Sequence, residues 1–242
     1  FDVPHAGTGP GQGTFAGNMS LSGEVIAGQY VDATGMNHGF LRAGNGTVTE
    51  FDVPAAATGP GLGTMTEWAQ CVNSAGAMTG IYFDQNGASH GYVRNPDGTI
   101  ATFDAPGAGT GSGLGTYAVG INPAGTIVGL SQDNNGVYHG LLRTADGKIT
   151  LFDIKGAGTG AGQGTLAEGI NPAGVITGYY TDANNVSHGF VRAADGTYTF
   201  FDAPGAGTGN GQGTFPMTNN PEGSIVGFYV DNSGAYHGFV RK

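Results

Sequence analysis

Residues 116–153 read TYAVGINPAGTIVGLSQDNNGVYHGLLRTADGKITLFD, and near-copies of this stretch recur along the whole chain of 242 residues. Apolar residues alternate with small or polar ones over 116–122, 126–133, 137–143 and 148–153, a pattern typical of short strands. Pro-Ala-Gly, Asn-Asn-Gly and Ala-Asp-Gly separate these segments and are turn sequences. The stretch therefore predicts four antiparallel strands joined by tight turns.

Each copy begins with Phe-Asp, so the chain divides into five repeats that start at residues 1, 51, 103, 152 and 201. A period of about 50 residues, with several short strands in each unit, is typical of radially repeated β structure. We therefore predict an all-β fold: one five-bladed β-propeller over residues 1–242, with four antiparallel strands in each blade.

The two ends of the chain fit such a ring. In the complete repeats an arginine precedes the next Phe-Asp by nine residues, whereas the chain stops at Lys242, one residue after Arg241. The last blade thus lacks its outer strand, and Phe1-Asp2-Val3 has the sequence of the end of such a strand. We expect this N-terminal segment to complete the last blade and to remove an open sheet edge.

Composition limits the classes of partner. The net charge is −10 and only 11% of residues are charged, which argues against nucleic acid and anionic membrane surfaces. No stretch approaches the ~20 apolar residues of a membrane span, and the one cysteine excludes an intrachain disulfide. The first residues carry no basic and apolar leader. We expect a monomeric protein without membrane insertion; if it is exported, its signal has already been removed.

The histidines and many acids occupy fixed repeat positions. Strand alternation and a three-residue turn place His139 opposite Asp153, and Asp133 approaches it across the next turn, which predicts an Asp-His-Asp group in each blade. The favoured interpretation is a structural pin; a metal site of one His and two Asp, and a ligand-binding rim, are the alternatives. The candidate rim positions are Asp32, His38, Asp84, His90, Asp133, His139, Asp182, His188, Asp231 and His237.

Glycine-rich links of the form Thr-Gly-x-Gly-x-Gly-Thr join the repeats. They lack the lysine of a phosphate-binding loop and precede a strand instead of a helix, so a nucleotide site is disfavoured. An interpretation as small-residue linkers competes with one as walls of repeated shallow pockets. Neutral groups such as Gln12, Gln163 and Gln212 suit the hydroxyls of a glycan better than a charged ligand.

Repeat 2 departs most from the others. Three extra residues between Thr64 and Asn73 bring Glu67 and the single tryptophan, Trp68, with Cys71 just beyond. If the protein were an enzyme, its active site would lie on the axis of the predicted propeller, where one repeat differs from the others. No base or orienting partner for Cys71 is identifiable, and drift in a loop is the preferred interpretation.

The segment from Gly120 to Gly129, followed by Asp133, His139-Gly-Leu and Arg143, resembles the HAF repeat of extracellular bacterial proteins. The likeness covers about 25 residues of each repeat, and here glycine takes the place of the middle alanine of His-Ala-Phe. The resemblance implies an exported protein and brings no catalytic residues.

These observations favour a secreted binding module with repeated pockets on one rim, which we expect to bind a glycan or another neutral polar ligand. The alternatives are a hydrolase or lyase with a single axial pocket at Glu67, Trp68 and Cys71, and a passive extracellular scaffold. We expect no cofactor, while a bound cation such as calcium stays an open alternative.

Overall fold

The computed structural model describes residues 1–20, 22–66 and 70–242. All regular structure in these residues is β-strand, which confirms the all-β prediction. The strands form five successive units of antiparallel neighbours, numbered 1 to 5 in chain order.

The first two units comprise β1 (Gly13–Met19), β2 (Val25–Val31), β3 (Asn37–Ala43), β4 (Val48–Phe51), β5 (Thr64–Met65), β6 (Met78–Phe83), β7 (Ser89–Arg94) and β8 (Ile100–Phe103). Units 3 and 4 comprise β9 (Gly115–Ile121), β10 (Ile127–Gln132), β11 (Tyr138–Arg143), β12 (Ile149–Phe152), β13 (Gly164–Ile170), β14 (Ile176–Thr181), β15 (Ser187–Arg192) and β16 (Tyr198–Phe201). Unit 5 comprises β17 (Gly213–Asn219), β18 (Ile225–Val230) and β19 (Tyr236–Arg241).

The strands of repeat 3 lie where the sequence pattern places them, to within one residue at each end. The predicted hairpin register is also confirmed, because the Thr144 N–H donates to the Lys148 carbonyl and Gly140 pairs with Phe152. Gly136 closes the preceding turn at φ 79°, a conformation that favours glycine. Local turn chemistry therefore sets the length of each strand.

Successive units are joined in the same way. In units 1 to 4 the start of the third strand makes a parallel bridge to the glycine at the start of the next unit's first strand, as Tyr138 does with Gly164 and Ser187 with Gly213. Apolar clusters fill the space between units; one of them combines Val128 of unit 3 with Ala167, Ile176 and Phe190 of unit 4. Packing between neighbouring units is thus the source of most of the buried core.

The glycine of each His-Gly pair lies beneath the phenylalanine that ends the outer strand. A Cβ atom added to Gly140 would stand 2.7 Å from the Phe152 ring, closer than real Cβ atoms approach a neighbour. Gly39, Gly91 and Gly189 lie beneath Phe51, Phe103 and Phe201 in the same way. The ring therefore covers its strand only because no side chain is present there.

Unit 5 differs, since no described residue pairs with the outer side of β19. Phe1 packs edge-on against Phe40 of unit 1, with ring centroids 5.9 Å apart, and the Val3 N–H donates to Thr14 Oγ1. Nothing lies within 4 Å of a Cβ added to Gly238. Completion of the last unit by Phe1–Val3 therefore stays a prediction.

The glycine beneath the ring can be tested by Gly140→Ala. The added methyl group forces Phe152 from its place, so we expect the free energy of unfolding to fall by about 1–3 kcal/mol. Gly120→Ala is the control, because the atoms nearest to its added Cβ lie at ordinary contact distances from 3.6 Å. Equal effects of the two substitutions in urea unfolding would contradict the steric explanation.

Candidate functional site

The predicted Asp-His-Asp group is present in the structure. His139 Nδ1 lies 2.9 Å from Asp153 Oδ1, and its Nε2 lies 3.9 Å from Asp133 Oδ2. Strand pairing positions the group, because Ser131 of β10 stands opposite His139 and β12 ends one residue before Asp153. Three antiparallel strands thus bring together residues that are 20 positions apart in the chain.

Three other repeats build the same group. Nδ1 lies 2.8–3.1 Å from the Phe-Asp carboxylate, and Nε2 lies 3.4–3.9 Å from the carboxylate in the turn. These trios are Asp32, His38 and Asp52; Asp84, His90 and Asp104; and Asp182, His188 and Asp202. In unit 5, His237 Nε2 lies 2.9 Å from Asp231, and the described residues bring no carboxylate to its Nδ1.

The turn aspartates hold the backbone of the turn that follows β10 and its equivalents. Asp133 Oδ1 accepts hydrogen bonds from the Asn135 and Val137 N–H groups, at 2.8 and 2.9 Å. At Asp32, partial desolvation raises the pKa, but hydrogen bonds from Thr34, Met36 and His38 outweigh it and lower the pKa to about 2. Each such carboxylate is therefore charged at neutral pH and engaged within the protein.

Aromatic rings cover the histidines. In four repeats a tyrosine of the second strand stacks on the imidazole with centroids 4.7–5.1 Å apart: Tyr30 on His38, Tyr82 on His90, Tyr180 on His188 and Tyr229 on His237. The arginines contact other rings. Each arginine lies over the Phe-Asp phenylalanine of its repeat, as Arg143 does over Phe103 at 4.8 Å.

In units 2 to 5 the arginine contact joins neighbouring units, because that phenylalanine ends the outer strand of the unit before. The set comprises Arg42 over Phe1, Arg94 over Phe51, Arg143 over Phe103, Arg192 over Phe152 and Arg241 over Phe201, at 4.5–5.5 Å. Cation–π contacts of this kind contribute about 0.5–2 kcal/mol each. The histidines and aspartates thus mainly hold strands together, and the arginines hold neighbouring units together.

The three link glutamines are also engaged. The Gly9 N–H donates to Gln12 Oε1, and Gln12 Nε2 donates to the Ala33 carbonyl in the turn after β2. Gln163 and Gln212 accept the same bond from Gly160 and Gly209. Gln163 Nε2 also donates to the Ala183 carbonyl, so Gln12 and Gln163 fasten their glycine-rich links to units 1 and 4.

A groove of about 380 Å³ lies between units 4 and 5. One wall is a row of aromatic rings in which Phe215 stacks on Phe228 at 4.8 Å, flanked by Tyr179 and Tyr236 at 5.1 and 5.6 Å. The remaining lining residues are neutral: Gly162, Thr181, Asn185, Ser187, Asn210, Gly211 and Val230. Gly162, Asn210 and Gly211 belong to glycine-rich links, so these links do line a pocket here.

A second groove, of about 330 Å³, lies between units 3 and 4. Tyr117, Tyr138 and Gln132 line it together with Gly113 of the preceding link, and Glu168 adds a carboxylate. Burial raises the pKa of the adjacent Tyr179, and the charge of Glu168 raises it further, so the phenol keeps its proton. None of the Asp or His rim positions is among the residues that line either groove.

Residues of all five units line a central cavity of about 40 Å³. Gln70 makes hydrogen bonds to three of these units. Its carbonyl accepts from the Ile121 N–H, its Oε1 accepts from the Ile170 N–H, and its Nε2 donates to the Asn219 carbonyl. Asparagines add links, since Asn73 Nδ2 donates to the Asn122 carbonyl at 3.0 Å. The cavity has space for only one or two water molecules.

The structure describes only part of the alternative axial pocket of Glu67, Trp68 and Cys71. Glu67 and Trp68 lie outside the described residues, and Cys71 is buried in a cluster with Ala27, Val72 and Met78. Gln70, which follows the insertion, lines the cavity that the five units share. Its importance could have been suspected from the insertion, although nothing in the sequence indicates which residue would point inward.

In the described part of the chain, no group of three His, Cys, Asp or Glu residues is placed to hold a metal ion. The same residues include no helix of the length and hydropathy that a membrane crossing requires.

Comparisons with known proteins assign the chain to no family, because it matches no protein-family model and no curated protein.

The turn carboxylates predict how stability depends on pH. Because the pKa of Asp32 is about 2 in the folded state and near 3.9 in the unfolded chain, its contribution is present above about pH 4 and is lost toward pH 2. The free energy of unfolding should fall over this range, and Asp32→Asn should reduce that fall. Urea unfolding at pH 5, 4, 3 and 2 gives the free energy of unfolding of the unmodified protein and of Asp32→Asn. An equal fall with pH in the two proteins would contradict the role of Asp32.

Proposed function

We propose that the protein is a secreted five-bladed β-propeller that binds neutral saccharides in the grooves between its blades. The observation that carries the saccharide proposal is the aromatic row of Tyr179, Phe215, Phe228 and Tyr236 beside neutral amides and hydroxyls. Sugar rings stack on aromatic faces through their C–H groups, while their hydroxyls need donors and acceptors that carry no charge to be desolvated.

The two grooves support a repeated site. Three pairs of residues hold equivalent positions in neighbouring repeats, and each pair contributes one residue to each groove. These pairs are Leu130 and Tyr179, Gln132 and Thr181, and Tyr138 and Ser187. Glu168 makes the groove between units 3 and 4 different, since it adds a carboxylate to the lining. We expect the two grooves to bind related saccharides with unequal affinity.

The net charge of −10 and the low share of charged residues agree with a neutral ligand. The resemblance to the HAF repeat supports export, and an extracellular glycan is a ligand that an exported protein would meet. The catalytic alternative has less support, because the central cavity of about 40 Å³ is too small for a substrate and Gln70 crosses it.

Saccharide binding is tested with a glycan array, followed by calorimetry on the best ligand. Tyr236→Ala removes one ring of the aromatic row, so we expect an affinity roughly fivefold lower. Tyr198→Ala is the matched control, since Tyr198 lies on the outer strand β16 away from both grooves, and His139→Gln should also leave binding unchanged. Absence of any saccharide binding at millimolar concentration would rule out this function and leave a passive scaffold.

The propeller proposal includes closure of the ring by Phe1–Val3. The five units already meet at the central cavity, and Asn73, Asn122 and Asn171 each donate to the backbone of the next unit. Phe1–Val3 make the contacts to unit 1 that each Phe-Asp makes to the unit after it: Val3 to Thr14 matches Ile154 to Thr165. Closure adds the contacts of Phe1 and Asp2 with β19.

The Gly238→Ala substitution tests whether Phe1–Val3 closes the ring against β19. If Phe1 covers Gly238 as Phe152 covers Gly140, the added methyl group should lower the free energy of unfolding by about 1–3 kcal/mol. The substitution should have no effect in a Phe1→Ala background, where no ring is displaced. A neutral Gly238→Ala in the unmodified chain would show that the ring is open at this place.

A further inference from the structure

The groove of about 330 Å³ between units 3 and 4 takes much of its lining from three paired strands of unit 3. Leu130 and Gln132 are alternate residues of β10, so their side chains share one face of the sheet. Tyr117 of β9 stands opposite Leu130, and Tyr138 of β11 stands opposite Gln132. Strand register thus places two tyrosines in one groove, and β13 of unit 4 contributes to the lining as well.

The polar groups of unit 3 in this groove are held in place. The Tyr117 hydroxyl donates to the Gly113 carbonyl at 2.8 Å, and Gln132 Nε2 donates to the Gly136 carbonyl at 3.0 Å. The rings of Tyr117 and Tyr138 also pack against a buried apolar cluster between units 3 and 4. The groove therefore offers preformed aromatic faces, and the Gln132 amide keeps an oxygen that can accept a hydrogen bond.

Glu168 reaches the groove from an irregularity in β13. The register of β13 with β14 shifts between Ala167 and Gly169, so Glu168 is the extra residue of a β-bulge. Bulges of this kind re-aim a side chain. The same bulge position in units 1, 3 and 5 holds uncharged residues, namely Gly17, Val119 and Met217. The carboxylate is therefore a feature of unit 4 that these other units do not share.

The charge of Glu168 lies among aromatic and apolar groups. The side chain is partly buried, and the residues that line the groove include no lysine or arginine. Burial raises the pKa of the neighbouring Tyr179, and the charge of Glu168 raises it further. A partly desolvated carboxylate beside tyrosine rings favours a cation, because the negative charge and the faces of the rings both attract it. The net charge of −10 adds attraction at long range.

We propose that the groove between units 3 and 4 recognises the protonated amine of an amino sugar. The ammonium group binds the Glu168 carboxylate, the sugar ring lies against the tyrosine faces, and the Gln132 amide accepts from a hydroxyl group. This inference rests on the proposal that the grooves bind saccharides, and it names the class of saccharide for one of them. The groove between units 4 and 5 has no charged lining residue and takes neutral sugars.

The probes are the tetramer of glucosamine, linked as in chitin, and its fully N-acetylated form, which carries no amine. Calorimetry on the full chain at about pH 5.5 measures both, because amines of this kind are then protonated. We expect the glucosamine tetramer to bind roughly tenfold more tightly, since its ammonium group makes a charge-assisted hydrogen bond to Glu168. Raising the salt from about 20 to about 300 mM should weaken binding of the glucosamine tetramer more than that of the N-acetylated one.

Protein variants locate the charge that is responsible. Glu168→Gln keeps the size of the side chain and removes its charge, so the two tetramers should then bind about equally. Glu222→Gln is the matched control, because it removes one negative charge from an exposed turn that lines neither groove, and it should keep the preference. Glu168→Asp keeps the charge on a shorter side chain and should retain part of the preference.

Equal affinity of the unmodified protein for the two tetramers would overturn this inference and leave the binding of neutral saccharides intact. An equal loss of preference in Glu168→Gln and Glu222→Gln would also overturn it, because the attraction would then come from the net charge. Binding of the glucosamine tetramer without binding of any neutral saccharide would support the inference and rule out the function proposed for the groove between units 4 and 5.

Discussion

The structure depends on the Phe-Asp pair at the end of each outer strand. Its phenylalanine lies over the glycine of the adjacent strand, and its aspartate orients the neighbouring histidine. The same ring also contacts the arginine of the next unit. One dipeptide thus completes one unit and attaches it to the next, so the loss of a phenylalanine would affect two units at once.

This use of the charged residues agrees with the proposal of a neutral ligand. Arginines, histidines and their aspartates are engaged with one another or with aromatic rings, and only 11% of all residues are charged. Such a surface is poorly suited to phosphates or nucleic acids and well suited to ligands with many hydroxyl groups. The aromatic row between units 4 and 5 adds the apolar contact that a purely polar groove would lack.

The repeats depart from one another most in repeat 2. Gln70 follows the insertion there and lines the cavity that residues of all five units share. Its hydrogen bonds reach Ile121 of unit 3, Ile170 of unit 4 and Asn219 of unit 5. A departure from the repeat pattern thus links units that are not neighbours in the chain.

Strand positions, turn types and the Asp-His-Asp group followed from the amino-acid sequence alone, because they depend on alternation, on turn residues and on a register that a short hairpin sets within one repeat. His139 opposite Asp153 is such a local consequence. The partner of Arg143, the inward direction of Gln70 and the rings that line the grooves belong to contacts between repeats. Those contacts were decided only by the tertiary structure, because the angle at which two sheets pack determines which side chains meet, and no pattern within one repeat contains that angle.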